Sequence, residues 1–122
     1  MRLPTRIHGM LDYLLGALLI ASPWLFGFAN NPAARWAPVV LGAGVLVYSA
    51  FTDYELGVVK KLQMPAHLLL DAAGGVLLAV SPWMLGFDDR VWMPHVVLGL
   101  VQVATAAITN TVPGYERRRA AR

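Results

Sequence analysis

Most of this chain consists of four apolar blocks separated by short polar connections. The blocks run from about residue 5 to 22, 36 to 52, 65 to 81 and 92 to 109. At 1.5 Å per residue, a helix of this length nearly spans the hydrocarbon core of a bilayer, which is about 30 Å thick. Apart from Asp12 and Asp71, the charged residues fall near the termini and in the connections. The pattern predicts an all-α integral membrane protein with four transmembrane helices, the first capped by Thr5.

The first and third blocks carry the same motif, repeated after 59 residues. The motif opens with His-x-x-Leu-Asp and closes with Ser-Pro-Trp-x-x-Gly-Phe, and eleven of its 21 positions are identical without a gap. The second and fourth blocks match through Trp-x-Pro followed by a Val-Val-Leu-Gly run. The sequence therefore predicts two tandem two-helix repeats, residues 5–54 and 64–111, followed by a basic cytoplasmic tail at 112–122.

Composition and charge agree with a membrane location. Charged residues make up only 14% of the chain, against about 25% in soluble proteins. Eight of the ten Lys and Arg residues lie on one side of the predicted helices, against Arg35 and Arg90 on the other. Because positive residues accumulate on the cytoplasmic side, both termini are expected in the cytoplasm. Two repeats that enter the membrane in the same direction are related by a pseudo-twofold axis along the membrane normal.

A Ser-Pro-Trp element closes the first helix of each repeat. The two copies are Ser22, Pro23, Trp24 and Ser81, Pro82, Trp83, each followed by a Gly-Phe pair. This duplicated unit resembles the SPW-repeat family of small bacterial membrane proteins over nearly the whole chain. The resemblance implies the four-helix fold and a location in the bacterial inner membrane, and it implies no reaction, cofactor or catalytic residue.

The Ser-Pro-Trp element is interpreted as a structural motif. Pro23 cannot donate an N–H to the carbonyl of Leu19, so the helix is expected to end or kink at Ser22. The Ser22 hydroxyl is expected to bond a backbone group that the proline leaves open. Trp24 is expected at the membrane interface. The second copy predicts the same features at Leu78, Ser81, Pro82 and Trp83.

Two histidine–aspartate pairs form the candidate polar, ion or cofactor site: His8 with Asp12, and His67 with Asp71. A spacing of four places both members on one helix face. A carboxylate at the centre of a membrane helix costs about 2.5 to 3.5 kcal/mol, so each aspartate needs a partner. Three interpretations remain open. The pairs form a satisfied polar cluster, they line a proton or ion path, or the histidines bind haem or another metal with the aspartates orienting them.

Other polar and small residues are interpreted as structural. His95 is expected to be hydrated at the outer interface, and Gln102 is expected to form a hydrogen bond between helices. The connection that holds Asp53 and Glu55 is expected to be a solvated loop. Five glycines are expected to let helix backbones approach one another: Gly42, Gly44, Gly74, Gly75 and Gly99. Two prolines, Pro38 and Pro94, are expected in the first turn of their helices.

The sequence predicts a non-catalytic protein that serves as a structural or accessory subunit of a larger membrane assembly. It contains no Gly-rich phosphate loop, nucleophile elbow or clustered zinc motif. We expect contact with the lipid bilayer and with protein partners or further copies of the chain, with no cofactor and no nucleic acid. The alternative is a small proton- or ion-coupled transporter, or a haem- or metal-binding protein, that uses the two histidine–aspartate pairs.

Overall fold

The computed structural model describes residues 2–111, which form four α-helices without a β-strand. The helices are α1 (Thr5–Leu25), α2 (Pro32–Ala50), α3 (Met64–Met84) and α4 (Met93–Ala107). Within these residues the prediction of an all-α fold with four helices is confirmed. Two of the helices, α2 and α3, are long and apolar enough to cross a membrane, and α4 is apolar but shorter, at 15 residues. The predicted basic tail lies outside the described residues.

The helices pack as two hairpins, α1 on α2 and α3 on α4, and the hairpins meet mainly between α2 and α3. The start of α1 lies beside the end of α4, through a bridge between Leu3 and Thr109. We call this end of the bundle, which carries His8 and His67, the cluster end. The opposite end holds all four tryptophans and is called the tryptophan end: Trp24, Trp36, Trp83 and Trp92.

Each hairpin crosses at a pair of glycines. A Cβ atom placed on Gly42 would lie 2.7 Å from the carbonyl oxygen of Gly16, and one placed on Gly99 would lie 2.5 Å from that of Gly75. Any side chain at these positions would push the two helices apart. Gly44 does not share this role, contrary to expectation, since a Cβ there would have no neighbour within 4 Å.

Two helix starts differ from their predictions. Thr5 is the first residue of α1 rather than its cap, and its hydroxyl donates to Glu55 Oε1 at 2.7 Å. The start of α2 is at Pro32, where Asn31 accepts from the Ala34 N–H. Pro38 consequently lies beyond the first turn, so its missing N–H leaves a carbonyl inside the helix open. Pro94 does lie in the first turn of α4, as predicted.

The helix that carries each Ser-Pro-Trp element ends three residues later than predicted. Helix α1 continues through Pro23 to Leu25, because the Ser22 hydroxyl donates at 2.7 Å to the Leu19 carbonyl that proline leaves open. The chain then turns at Gly27, whose φ of +75° is accessible to glycine, and the Phe28 N–H donates back to Pro23. The second copy has the same bonds at Leu78, Ser81, Pro82, Gly86 and Phe87.

The connection between the repeats is solvated only in part, because Tyr54 folds into the cluster end whereas Val58, Lys60 and Lys61 are exposed. Tyr54 is fully buried there, and Lys60 Nζ donates to its carbonyl at 2.7 Å. Asp53 donates its backbone N–H to Leu62, which closes the loop. The loop thereby delivers the Tyr54 side chain into the interior.

Candidate functional site

The four predicted site residues come together in one group between the repeats, which we call the His–Asp cluster. His8 and Asp12 project from α1, His67 and Asp71 project from α3, and each is at most 4% exposed. His8 Nε2 lies 2.6 Å from Asp71 Oδ2 and 3.1 Å from Asp12 Oδ1. His67 Nε2 lies 2.9 Å from Asp12 Oδ2 and 3.2 Å from Asp71 Oδ2. Each imidazole therefore contacts one carboxylate of its own helix and one of the other repeat.

The opposite nitrogen of each ring is held by a threonine. His8 Nδ1 lies 2.7 Å from Thr109 Oγ1, and His67 Nδ1 lies 2.7 Å from Thr52 Oγ1. The Thr52 hydroxyl donates its only hydrogen to the Tyr48 carbonyl, and the Thr109 hydroxyl donates its only hydrogen to the Thr105 carbonyl. The threonine oxygen must therefore accept from Nδ1–H, which fixes the tautomer and turns Nε2 toward the carboxylates.

The geometry sets the charge of the cluster. A separation of 2.6 Å between His8 Nε2 and Asp71 Oδ2 requires a proton on one of these two atoms. His67 Nε2 needs a second proton for its close contact with Asp12 Oδ2. Whether these protons belong to the imidazoles or to the carboxyl groups, the four side chains together carry no net charge. A neutral group of this kind avoids the cost of burying an isolated ion.

Two tyrosines complete the surroundings of the carboxylates. The Tyr48 hydroxyl donates to Asp71 Oδ1, and the Tyr54 hydroxyl donates to Asp12 Oδ2 at 2.9 Å. Burial, together with the charge of Asp12, raises the pKa of Tyr54, which lies in the connection outside the helices. Its hydroxyl therefore remains protonated and serves as a donor.

The two tyrosines were not found from the sequence, because neither has a counterpart in the second repeat. Thr105 and Thr111 stand at the equivalent positions. The threonines that bind the imidazoles do match one another across the repeats, as Thr52 and Thr109. Polar residues kept in both copies of an apolar repeat are a pattern that could have identified them.

Gln102 supports the cluster from the fourth helix. Its Nε2 donates at 2.9 Å to the backbone carbonyl of Asp71, so α4 is bonded to α3 as predicted. Gly74 provides the room, since a Cβ there would lie 3.0 Å from that nitrogen. This bond exists in one repeat only, because Val45 stands at the equivalent position of α2.

His95 is a second buried polar position, at the tryptophan end. It is 1% exposed and lies between Phe28 and Phe87, with both ring centroids 4.8 Å from its own. Its Nε2 donates at 2.9 Å to the Ala34 carbonyl, the group that Pro38 cannot serve. The expectation of a hydrated interfacial histidine is therefore wrong, since this buried side chain supplies the hydrogen bond that Pro38 cannot donate to the Ala34 carbonyl.

The repeated motif that assembles this cluster also identifies the family. A family model described as the SPW repeat domain matches residues 6–109, which include both Ser-Pro-Trp elements and the whole His–Asp cluster. No curated protein and no solved structure matches the chain. The match and the two long apolar helices agree with a membrane protein. Covering most of the sequence, the match shows that this chain belongs to the SPW repeat family.

Proposed function

We propose that this protein is a non-catalytic, four-span membrane protein that acts as a structural or accessory module of a larger membrane assembly. One observation carries the proposal: the ionisable groups of the His–Asp cluster face one another in a closed, neutral arrangement between the repeats. Ionisable groups that contact one another across the two repeats in this way hold the repeats together.

The outer surface of the bundle supports four membrane crossings. Each helix exposes a large aliphatic side chain by more than half: Leu14, Val40, Leu69 and Leu100. An apolar surface on every helix suits lipid and would be a liability in water. We place the protein in the bacterial inner membrane, with the axis between the repeats along the membrane normal.

The charges and tryptophans at the two ends support one orientation. Of the six basic residues in the described part of the chain, four belong to the cluster end: Arg2, Arg6, Lys60 and Lys61. All four tryptophans, between 46% and 63% exposed, lie at the other end. We therefore propose that both termini are cytoplasmic and that the indoles occupy the outer interface.

A proton or ion path has less support than a structural role. Toward the tryptophan end, two turns beyond Asp12 and Asp71, the bundle has an apolar layer that includes the fully buried Leu19 and Leu78. A path would need polar groups or water across this layer. Haem also fits poorly, because aspartate oxygens lie within 3.2 Å of both imidazoles, where a porphyrin would need a planar gap.

Isolation in mild detergent from the native membrane tests the proposal. We expect defined partner subunits or further copies of the chain to co-purify, and a variant with Asp12→Asn and Asp71→Asn to lose assembly or abundance. A matched control replaces two exposed aspartates of the other end, Asp88→Asn with Asp89→Asn, and should assemble normally. Proton flux through reconstituted protein that the cluster variant abolishes and the control retains would contradict the structural role.

A further inference from the structure

We propose that the His–Asp cluster binds a divalent first-row transition ion such as Zn²⁺ through two imidazole nitrogens and two carboxylate oxygens. One donor atom from each of the four residues lies within 4.8 Å of all the others, and all four residues are buried. Zn²⁺ accepts both His nitrogen and Asp oxygen as ligands and favours four of them in a tetrahedral arrangement. Imidazole donors favour such an ion over Mg²⁺ or Ca²⁺, which prefer oxygen ligands alone.

The surroundings of the cluster match those of a metal site. Histidines that bind metals donate their other ring N–H to a fixed acceptor, which orients the ligating nitrogen. Thr52 and Thr109 play that part here, so both Nε2 atoms point to the centre of the cluster. The carboxylates are fixed in turn by the hydroxyls of Tyr48 and Tyr54.

One nitrogen of the cluster is incompletely satisfied. His67 is fully buried, and its Nε2 has no partner with hydrogen-bond geometry although two carboxylates lie in ion-pair contact. His8 Nε2, in contrast, is hydrogen-bonded to Asp71. A buried polar atom without a partner costs about 1 to 3 kcal/mol. A cation at the centre of the cluster would satisfy His67 Nε2, because the lone pair of this nitrogen would then coordinate the ion.

The exchange of protons for the ion balances in charge. Without metal the cluster holds two mobile protons, one for each Nε2–carboxylate contact, and its net charge is zero. A divalent ion bound by two neutral imidazoles and two carboxylates also gives zero, with the two protons released. The membrane interior therefore holds the same net charge before and after binding.

Metal binding requires the four donor atoms of the cluster to rearrange. The present contacts between Nε2 and carboxylate oxygens are 2.6 to 3.2 Å. Ligands about 2.0 to 2.2 Å from a tetrahedral ion are roughly 3.3 to 3.6 Å apart, so the short contacts need to lengthen by about half an ångström, and donors as far as 4.8 Å apart need to come closer. Asp12 also lines a cleft of about 180 Å³ between α1 and α4.

The proposed ion would join the two repeats, because its ligands come in pairs from α1 and α3. The metal site goes beyond the structural role and does not depend on it. Failure to bind metal would leave the neutral cluster as a link between the repeats, and the assembly experiment would be unaffected.

A metal titration of the full chain, purified with a tag that contains no histidine, tests the site. After chelator treatment, the wild-type protein should bind one Zn²⁺ per chain by equilibrium dialysis and metal analysis. Co²⁺ should give the intense visible absorption of a tetrahedral ion. The variant with Asp12→Asn and Asp71→Asn should bind at least about 100-fold more weakly. His95→Gln changes the histidine outside the cluster and should bind as the wild type does.

A second variant separates loss of the site from loss of the fold. Thr52→Val removes the acceptor that orients His67, and its affinity should fall by about 10- to 100-fold while the circular dichroism of the helices is unchanged. Three results would overturn the metal site. They are no stoichiometric binding by folded wild-type protein, unchanged binding in the double aspartate variant, or unchanged affinity in folded Thr52→Val.

Discussion

At the scale of single residues, the interior is organised by side chains that complete backbone groups left open by proline. The Ser22 hydroxyl donates to the Leu19 carbonyl, which Pro23 cannot bond because it has no N–H. His95 donates to the Ala34 carbonyl in the same way, but from a different helix and a different repeat. A buried carbonyl without a donor is costly. These side chains therefore let prolines remain inside helices.

Replacing His95 with Leu should destabilise the protein by about 1 to 3 kcal/mol, because the Ala34 carbonyl loses its donor. The Pro38→Ala change restores an N–H at the position that normally bonds this carbonyl. We expect the cost of His95→Leu to be smaller in the Pro38→Ala background, as measured by a double-mutant cycle of unfolding in detergent. Equal costs in the two backgrounds would show that His95 acts through packing against the phenylalanines instead.

The sequence located the cluster residues but not their arrangement. The spacing of His8 and Asp12 predicts a shared helix face because it depends only on the period of one helix. The contact of His8 with Asp71 depends on how α1 and α3 face each other, which periodicity does not specify. Thr52 was visible as a residue matched between repeats, whereas Tyr54 reaches the cluster only because its loop folds inward.

At the scale of helices, each repeat depends on a close crossing between its two members. Gly16 faces Gly42 in the first hairpin, and Gly75 faces Gly99 in the second. The composition predicted close packing but could not separate these glycines from Gly44, which lies on an exposed face of α2. The relevant difference is orientation about the helix axis, and that is set by the partner helix.

The Gly42→Ala variant should lose about 1 to 3 kcal/mol of stability, because its Cβ would meet the Gly16 carbonyl and the α1 side chains behind it. Gly44→Ala is the matched control in the same helix. Its added methyl has open space, and alanine favours a helix by up to about 1 kcal/mol, so it should be neutral or stabilising. Thermal unfolding followed by circular dichroism compares the two, and similar losses in both would rule out the glycine crossing as the cause.

At the scale of the whole molecule, the two ends differ in chemistry. The cluster end holds the His–Asp cluster and the two tyrosines that bond to it, while the tryptophan end presents exposed indoles. Four-helix duplication and the polarity of the ends were readable from the sequence, since they follow from repeated motifs and the distribution of charge. The contacts between the two histidine–aspartate pairs could not be predicted, because they depend on how α1 and α3 face each other.

The proposed orientation predicts a shallow position for all four indoles. Tryptophan fluorescence of the protein in vesicles should be quenched most by lipids that carry the quencher near the head group. Trp24 and Trp83 occupy equivalent positions in the repeats, so single-tryptophan variants that keep either one should give the same depth. Stronger quenching from the centre of the bilayer would contradict the proposed placement.

The central claim, that the His–Asp cluster links the two repeats, is tested most directly by the coupling between His8 and Asp71. Their side chains come from different repeats and lie 2.6 Å apart. In a double-mutant cycle of unfolding in detergent, His8→Gln and Asp71→Asn should each cost about 3 to 5 kcal/mol, because each leaves a buried partner uncompensated. The double variant should cost at least about 1 kcal/mol less than their sum. Small and additive losses would contradict the link.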